Sequence, residues 1–352
     1  MADSEDSTLS VEIAGINRAS VSRWLLDNID GLSGPFIFLP IEGGRSNLTY
    51  RVVDGVGSTV VLRRPPLGHV LATAHDMGRE YKIISAVGKT FVPVPRALGL
   101  CVDESVNGAP FYVMSYVNGA VLDSPASADQ LSIELRRIAS EHLVDVLAEL
   151  HHVDIDAIGL GDLAKRTGYI ERQLKRWSTQ WNNSKTRELP AIEEAEGILR
   201  KRIPEQLSVA IAHGDFRFGN CLTDLATGKI TAVLDWELCT LGDPLADLGH
   251  LSVYWTNPGS GSGRHNDPTG APGFPTFEEM VERYATFTGR DVSNLAFYRA
   301  FAAWRLAIVS EGVYARYMYG AMGDTNVDLL ALKQGTEDLA ITALESLKGS
   351  SQ

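Results

Sequence analysis

The 352-residue sequence is short of cysteine, of basic charge and of long apolar runs. Its three cysteines, Cys101, Cys221 and Cys239, are odd in number and show neither CxxC spacing nor the Cys/His spacing of a zinc site. That excludes a disulfide framework and a structural zinc module, and leaves reduced thiols in a cytosolic protein as the expectation. No run approaches the roughly 18 to 20 apolar residues of a membrane helix. The polar, acidic start from Met1 to Ser10 lacks the basic and apolar regions of a signal or transit peptide, so a cytoplasmic location with no membrane partner is expected. Lys and Arg total 32 against 44 Asp and Glu, a net charge of −12, which argues against a nucleic-acid partner. What is present is an ordinary globular balance, with 44% hydrophobic and 22% charged residues. Wholesale disorder is excluded, and the length suffices for one large or two ordinary domains. Nothing in the sequence sets an oligomeric state.

Apolar spacing predicts a helix over 12–30, carried by Ile13, Ile16, Val21, Trp24 and Leu25, followed by a Gly/Pro turn. From Phe36 the pattern becomes β. Tyr50 to Val53 and Ser58 to Arg63, joined through Asp54-Gly55, read as a hairpin. A helix is predicted over 72–88 on Met77, Tyr81 and Ile84, closed by Pro93 and Pro95, with strands at Arg96–Val102 and Pro110–Val117. Helical spacing then dominates, over 127–152, 167–184, 190–202, 277–289, 293–322 and 326–348. Two apolar runs, Val209–Ala212 and Ile230–Leu234, interrupt it and are expected to pair as a β-hairpin around a polar loop. The Gly/Pro/Ser-rich stretch 257–275 reads as a mobile loop, its 259–265 part either a substrate lid or disordered. The expected class is α+β, with a tail and helix at 1–35, a small antiparallel-sheet lobe at 36–117 and a larger, mainly helical lobe at 118–352.

The densest polar string is His213-Gly-Asp-Phe-Arg-Phe-Gly-Asn220, followed by Asp235-Trp-Glu237 after the second apolar run. Asp215, Asn220 and Asp235 are hard oxygen donors with no His or Cys set beside them, which suits Mg²⁺ and not zinc. Phosphoryl transfer needs such a group: a carboxylate to orient the acceptor hydroxyl, and an amide with a second carboxylate for Mg²⁺ on a triphosphate. Any one of these residues alone would be an ordinary turn residue. Upstream, the Ile41–Tyr50 stretch places Gly43, Gly44, Ser46 and Asn47 between two β runs, where backbone N–H groups can meet phosphates. No Gly-Lys-Ser/Thr follows, so it is not a Walker A loop. Glu80 falls on the apolar side of its helix and calls for a cationic partner unless it is a solvated edge residue.

The string HGDFRFGN with a downstream LDWE resembles the catalytic segment of the aminoglycoside phosphotransferase-like enzymes, relatives of the protein kinases. The matches run in order from about residue 36 to 250. The resemblance implies a bilobal protein-kinase-like fold, with Asp215 as catalytic base, Arg217 facing the γ-phosphate, and Asn220 and Asp235 as Mg²⁺ ligands. His213 is then a structural member of the loop, Glu237 a support beside the metal or else a further ligand to it, and the Asp residues of Gly242–Gly249 buttress the catalytic loop. It further implies ATP contacts from Gly43, Gly44, Ser46 and Asn47. Arg63 would stand where kinases carry a Lys and pair with Glu80, and Met114 and the backbone of Ser115 and Val117 would meet adenine. Arg in place of Lys is a departure from the family pattern, bulkier though able to make the contact bidentately. The segments GGRSNLTY, LRRPP, HHVDIDAIGL and RQLKRWSTQW look most like the kinase-like domains fused to acyl-CoA dehydrogenases in animals, which implies hydroxyacyl-CoA as one candidate acceptor.

The expected function is therefore an ATP- and Mg²⁺-dependent small-molecule kinase acting on a substrate hydroxyl, hydroxyacyl-CoA-like or aminoglycoside-like. The alternative is a nucleotide-binding pseudokinase or interaction module. A hydrolase lacks a positioned nucleophile such as GxSxG. His151 and His152 are expected to cap or cover a helix end, and Trp177 and Trp181, four apart on one face, to pack in the core or else form a substrate wall.

Overall fold

The computed structural model describes residues 13–41, 47–67, 75–259, 267–320 and 327–349. The chain divides into two compact units, one reaching to Asn118 and including Ala232–Glu237, the other built from Gly119–Thr231 and from Leu238 onward.

In the first unit α1 (Arg18–Asn28) precedes β1 (Ile37–Pro40), β2 (Leu48–Val53) and β3 (Thr59–Arg64), followed by α2 (Met77–Val87), β4 (Ala97–Cys101), the short α3 (Glu104–Asn107) and β5 (Phe111–Ser115). The strands form one antiparallel sheet in the order β1-β2-β3-β5-β4. Period-2 alternation gives that sheet two different faces. Phe38, Tyr50, Val52, Val60, Leu62, Phe111 and Val113 point to one core, which α1 closes with Val21 and Leu25. The Trp24 ring meets Phe111 edge-on at 4.9 Å. The register sets Arg63 opposite both Thr49 and Tyr112, on the reverse face, where α2 brings Glu80. That helix starts at Met77 because Asp76 caps it, its carboxylate accepting the Arg79 N–H at 2.9 Å. Residues 72–74 of the expected helix lie outside the described residues.

The second unit holds β6 (Ala120–Val121), α4 (Pro125–Ala128), α5 (Ile133–His152), α6 (Tyr169–Ser184), α7 (Pro190–Lys201), β7 (Ala210–Ala212) and β8 (Cys221–Thr223). It continues through β9 (Ile230–Val233), which runs into the 232–237 segment, then β10 (Thr240–Gly242), α8 (Leu245–Val253), α9 (Phe277–Thr288), α10 (Leu295–Met318) and α11 (Leu329–Gly349). The helix expected over 127–152 is two helices, separated where Ser132 caps the longer one. The expected hairpin between Val209–Ala212 and Ile230–Leu234 is not formed. β7 pairs with β10, and β9 lies beside β8 in the order β6-β8-β9. The reason is local: Cys221–Thr223 is itself a strand, and Asp224 closes a tight turn by donating its N–H to Lys229 O at 2.8 Å. The helix α8 was not legible as an element, since its sequence LADLGHLSV is buried over seven of nine positions and so shows no polar face. Gly249 lets α10 approach it, because a Cβ there would sit 2.6 Å from Tyr298 O.

The 257–275 stretch is only partly described. Its 267–275 part is tied down, with Thr256 N–H donating to Thr269 Oγ1 at 2.7 Å and Trp255 Nε1–H to Pro275 O at 3.1 Å, so this part is not a loose loop. Most of the 259–265 segment expected to be a lid or disordered lies outside the described residues. Cys101, Cys221 and Cys239 are buried and none is in a disulfide. Among the described residues no helix is long and apolar enough to cross a membrane.

Candidate active site

In the first unit the polar centre is Arg63, at the end of β3 and 12% exposed in its side chain. Its Nε lies 3.1 Å from Glu80 Oε2, and its NH2 donates to Asp235 Oδ1 at 2.6 Å. Glu80, 2% exposed, also accepts from Tyr112 OH at 3.1 Å and from Asn47 Nδ2 at 3.2 Å. A buried carboxylate is tolerated only with such a set of donors. Burial opposes the Arg63 charge, but Glu80 first, then Tyr112, Asp235 and Glu237, hold its pKa above the ordinary arginine value. Asn47 ties further groups to this centre, its Nδ2 lying 3.3 Å from Glu237 Oε2 and its Oδ1 2.8 Å from His75 Nδ1. Asp235 adopts φ 64°, alone among the described non-glycine residues in the left-handed region. A backbone held there against its preference is a mark of a site whose surroundings dictate its geometry.

Arg64, next in the strand, turns to the opposite face as period 2 requires. It is buried and bonds carbonyls, Gly15 O at 2.5 Å, Asn107 O at 3.1 Å and Pro65 O at 3.1 Å. Met114 is buried on β5 opposite Val61. Of the Ser115 backbone groups expected to meet adenine, the N–H is engaged within the sheet. That N–H is donated to Arg96 O at 2.8 Å, because the chain entering β4 continues the sheet alongside it. Val117 lies beyond the end of β5, outside the ladder. Gly43, Gly44 and Ser46 fall outside the described residues.

In the second unit the chain leaves β7 into the 213–220 stretch. Gly214 takes φ 84°, and a Cβ there would be 2.8 Å from Leu238 O, so only glycine fits the turn. Asp247 on α8 grips that turn from below, its two oxygens accepting the N–H groups of His213 at 2.6 Å and Gly214 at 2.8 Å. His151 is not a cap on its helix: it is buried, with Nε2 3.3 Å from Asp247 Oδ2 and Nδ1 2.7 Å from Tyr284 OH. Asp243 is likewise internal, accepting from Tyr298 OH at 2.7 Å.

Asp215 keeps 24% of its side chain exposed. Its Oδ2 accepts from Asn220 Nδ2 at 2.7 Å, and the same amide donates to the Asp215 carbonyl at 2.8 Å. Its Oδ1 lies 2.7 Å from His250 Nε2 and 3.6 Å from Arg217 Nε. Burial alone would raise the Asp215 pKa, but the hydrogen bond from His250 and the nearby Arg217 guanidinium hold it well below the usual carboxylate range. The Arg217 guanidinium stacks over the Tyr254 ring at 4.9 Å. Because the Asn220 nitrogen is committed twice to Asp215, its Oδ1 is the atom left to accept or ligate.

Sequence reading missed His250 and Arg305. The signal for His250 was present: it follows Asp247 by three residues, so a helix at 245–253 puts both on one face. Arg305 carried no local signal, because it lies 55 positions from His250.

The model of the phosphotransferase enzyme family (APH) matches residues 37–298, a span that contains both the Arg63 centre and the Asp215 loop. Acyl-CoA dehydrogenase family member 10 of Mus musculus is 36% identical over 294 residues, 82% of this chain and 27% of that protein. The chain spans between 27% and 40% of the length of the curated relatives it matches. Among solved structures, a Ralstonia eutropha chain provisionally assigned as an aminoglycoside phosphotransferase is 32% identical, with a TM-score of 0.79 over 94% of this chain and 98% of that one. An aminoglycoside phosphotransferase solved with AMP-PNP and hygromycin B is 15% identical, with a TM-score of 0.57 over 92% and 98%, which is likeness of fold alone. With the family model spanning most of the sequence and relatives above 30% identity along most of its length, the chain belongs to the phosphotransferase enzyme family and has its α+β, protein-kinase-like fold.

Proposed function

We propose that the chain is an ATP- and Mg²⁺-dependent small-molecule kinase that moves the γ-phosphoryl group onto a substrate hydroxyl. The observation that carries this reading is the Asp215 carboxylate, held ionised and oriented by two separate donors while part of it stays open to solvent. In the transfer the acceptor oxygen forms a bond to the γ-phosphorus, the bond from that phosphorus to the bridging oxygen breaks, and ADP leaves with the electron pair. Asp215 orients the hydroxyl and takes its proton, and Arg217 stabilises charge on the transferring group.

Arg63 is assigned to the nucleotide phosphates with Glu80 fixing its angle, Asn47 with Gly43, Gly44 and Ser46 to the phosphate loop, and Met114, the Ser115 carbonyl and Val117 to the base. The donors present suit a hard cation: Asn220 offers Oδ1, and Asp235 has one carboxylate oxygen not taken by Arg63. Mg²⁺ held by Asn220 and Asp235 would neutralise triphosphate charge. A cytoplasmic setting goes with this reading, and a net charge of −12 fits a small-molecule acceptor better than nucleic acid. The acceptor is a hydroxyacyl-CoA, in keeping with the dehydrogenase names of the long relatives, or an aminoglycoside-like polyol, in keeping with the hygromycin B complex.

The test incubates wild type and Asp215→Asn with Mg²⁺·ATP and panels of hydroxyacyl-CoAs and aminoglycosides, with mass spectrometry for phosphate-shifted species. A product made by wild type and lost in Asp215→Asn is expected. Equal product from both removes Asp215 as base, and no product from wild type that still binds ATP favours a nucleotide-binding module.

A further inference from the structure

We infer that His250 is a positioning residue for Asp215, locked by Arg305 into the single tautomer that donates from Nε2. The inference rests on the kinase reading above and adds to it a second tier of residues, on α8 and α10, that set the direction of the Asp215 carboxylate.

The tautomer follows from the contacts. Arg305 NH2 lies 2.8 Å from His250 Nδ1 and 2.6 Å from Gly214 O. A guanidinium only donates, and its NH2 has two hydrogens, one for each of these acceptors. His250 Nδ1 is therefore the unprotonated nitrogen. The ring proton sits on Nε2 and is donated to Asp215 Oδ1, 2.7 Å away. The reverse arrangement would set an Nδ1–H against an Arg305 N–H.

Arg305 itself is the unusual member. It is 6% exposed, and among the described residues no carboxylate lies within ion-pairing distance of it. Its contacts are a carbonyl, a ring nitrogen and the Trp177 ring, whose centroid is 5.8 Å from the guanidinium carbon. A buried cation without a counter-ion is costly to keep. Its gain is the ring it holds neutral: the groups facing His250 are Asp215 and Arg305, with Asp247 near and the Tyr254 ring at 5.2 Å, and burial followed by Arg305 keeps the imidazole below its usual pKa.

The helix α8 thus holds the loop twice. Asp247 fixes its backbone at His213 and Gly214, and His250, three residues on, fixes the carboxylate that follows. With Nδ1 closed by a cationic donor, His250 cannot pass a proton onward. It restrains Oδ1, so that Oδ2, already steadied by Asn220, is the oxygen presented to an acceptor hydroxyl.

Two measurements test this. With histidine side chains labelled with ¹⁵N, and the His250 signals assigned by their loss in His250→Gln, the ring is expected to show a protonated Nε2 and a bare Nδ1 at neutral pH. An Nδ1–H tautomer or an imidazolium overturns the inference, and this reading needs no catalysis. In transfer assays His250→Leu is expected to lower kcat by about 100-fold, the scale of a misplaced reacting group, with the KM for ATP unchanged within about twofold. His250→Gln, which keeps an N–H donor on a chain of similar reach, is expected to recover most of that loss. If Asp215→Asn abolishes transfer while His250→Leu matches wild type, the positioning role is wrong and the kinase reading stands. If Asp215→Asn transfers as fast as wild type, the kinase reading itself fails and this role with it.

Discussion

Arg63 and Asp235, 172 positions apart in the sequence, meet at 2.6 Å, and Asp235 holds φ 64° where they do. The left-handed backbone costs about 1 to 3 kcal/mol for most residues and least for Asn and Asp. Asp235→Asn should therefore keep the turn, with unfolding free energy within about 1 kcal/mol of wild type, while losing Mg²⁺-dependent turnover. Asp235→Ala should lose turnover and destabilise by about 1 to 3 kcal/mol as well. Denaturant unfolding beside a transfer assay separates the two, and full turnover in Asp235→Asn would remove it as a metal ligand.

Glu80 and Tyr112 grade the same centre from another side. Glu80→Ala removes a buried partner of Arg63 and leaves the Tyr112 hydroxyl and one Asn47 bond unmet, so a loss of about 3 to 5 kcal/mol is expected. Tyr112→Phe removes a single hydrogen bond and should cost about 1 kcal/mol. Urea unfolding that ranks the two variants in the opposite order would contradict the packing given above.

Gly214 offers a test of the loop that involves no charged group. Gly214→Ala must place a Cβ 2.8 Å from a carbonyl oxygen on a backbone at φ 84°. The expected cost is at least about 1 to 3 kcal/mol, with transfer reduced because the Asp247 grip on the turn is lost. A variant as stable and as active as wild type would show that the turn is not fixed.

The pH dependence of stability has a defined sign at His151. Burial first, with Arg290 adding to it, depresses its folded pKa, although Asp247 opposes them. The unfolded chain therefore binds the proton more tightly, so the contribution is complete above the ordinary histidine pKa of about 6.5 and is lost as pH falls below it. The urea midpoint should fall between pH 8 and pH 5, and fall less steeply in His151→Asn. An equal slope in the two proteins would mean that His151 does not carry this dependence.

Local periodicity and turn chemistry made most elements readable, because they act within a few residues. The helices at 167–184, 190–202 and 277–289 lie within two residues of α6, α7 and α9. The same reasoning failed where burial is uniform or pairing distant. α8 has no polar face to betray it, and β7 chose Thr240–Gly242 over the nearer apolar run at 230–233.

The sequence by itself determined that three hard oxygen donors, Asp215, Asn220 and Asp235, fall close together along the chain with no His or Cys metal-binding set beside them. It also determined that Glu80 needed a cation, since a carboxylate on an apolar helix face cannot stay unpaired. Only the tertiary structure decided which groups answer them. It set Tyr112 and Asn47 beside Glu80, Asp247 beneath the Gly214 turn, and Arg305 behind His250. The physical reason is that a hydrogen bond is specified by distance and angle within about 3 Å. For partners tens of residues apart, those are fixed by how helices and strands pack and not by any pattern along the chain.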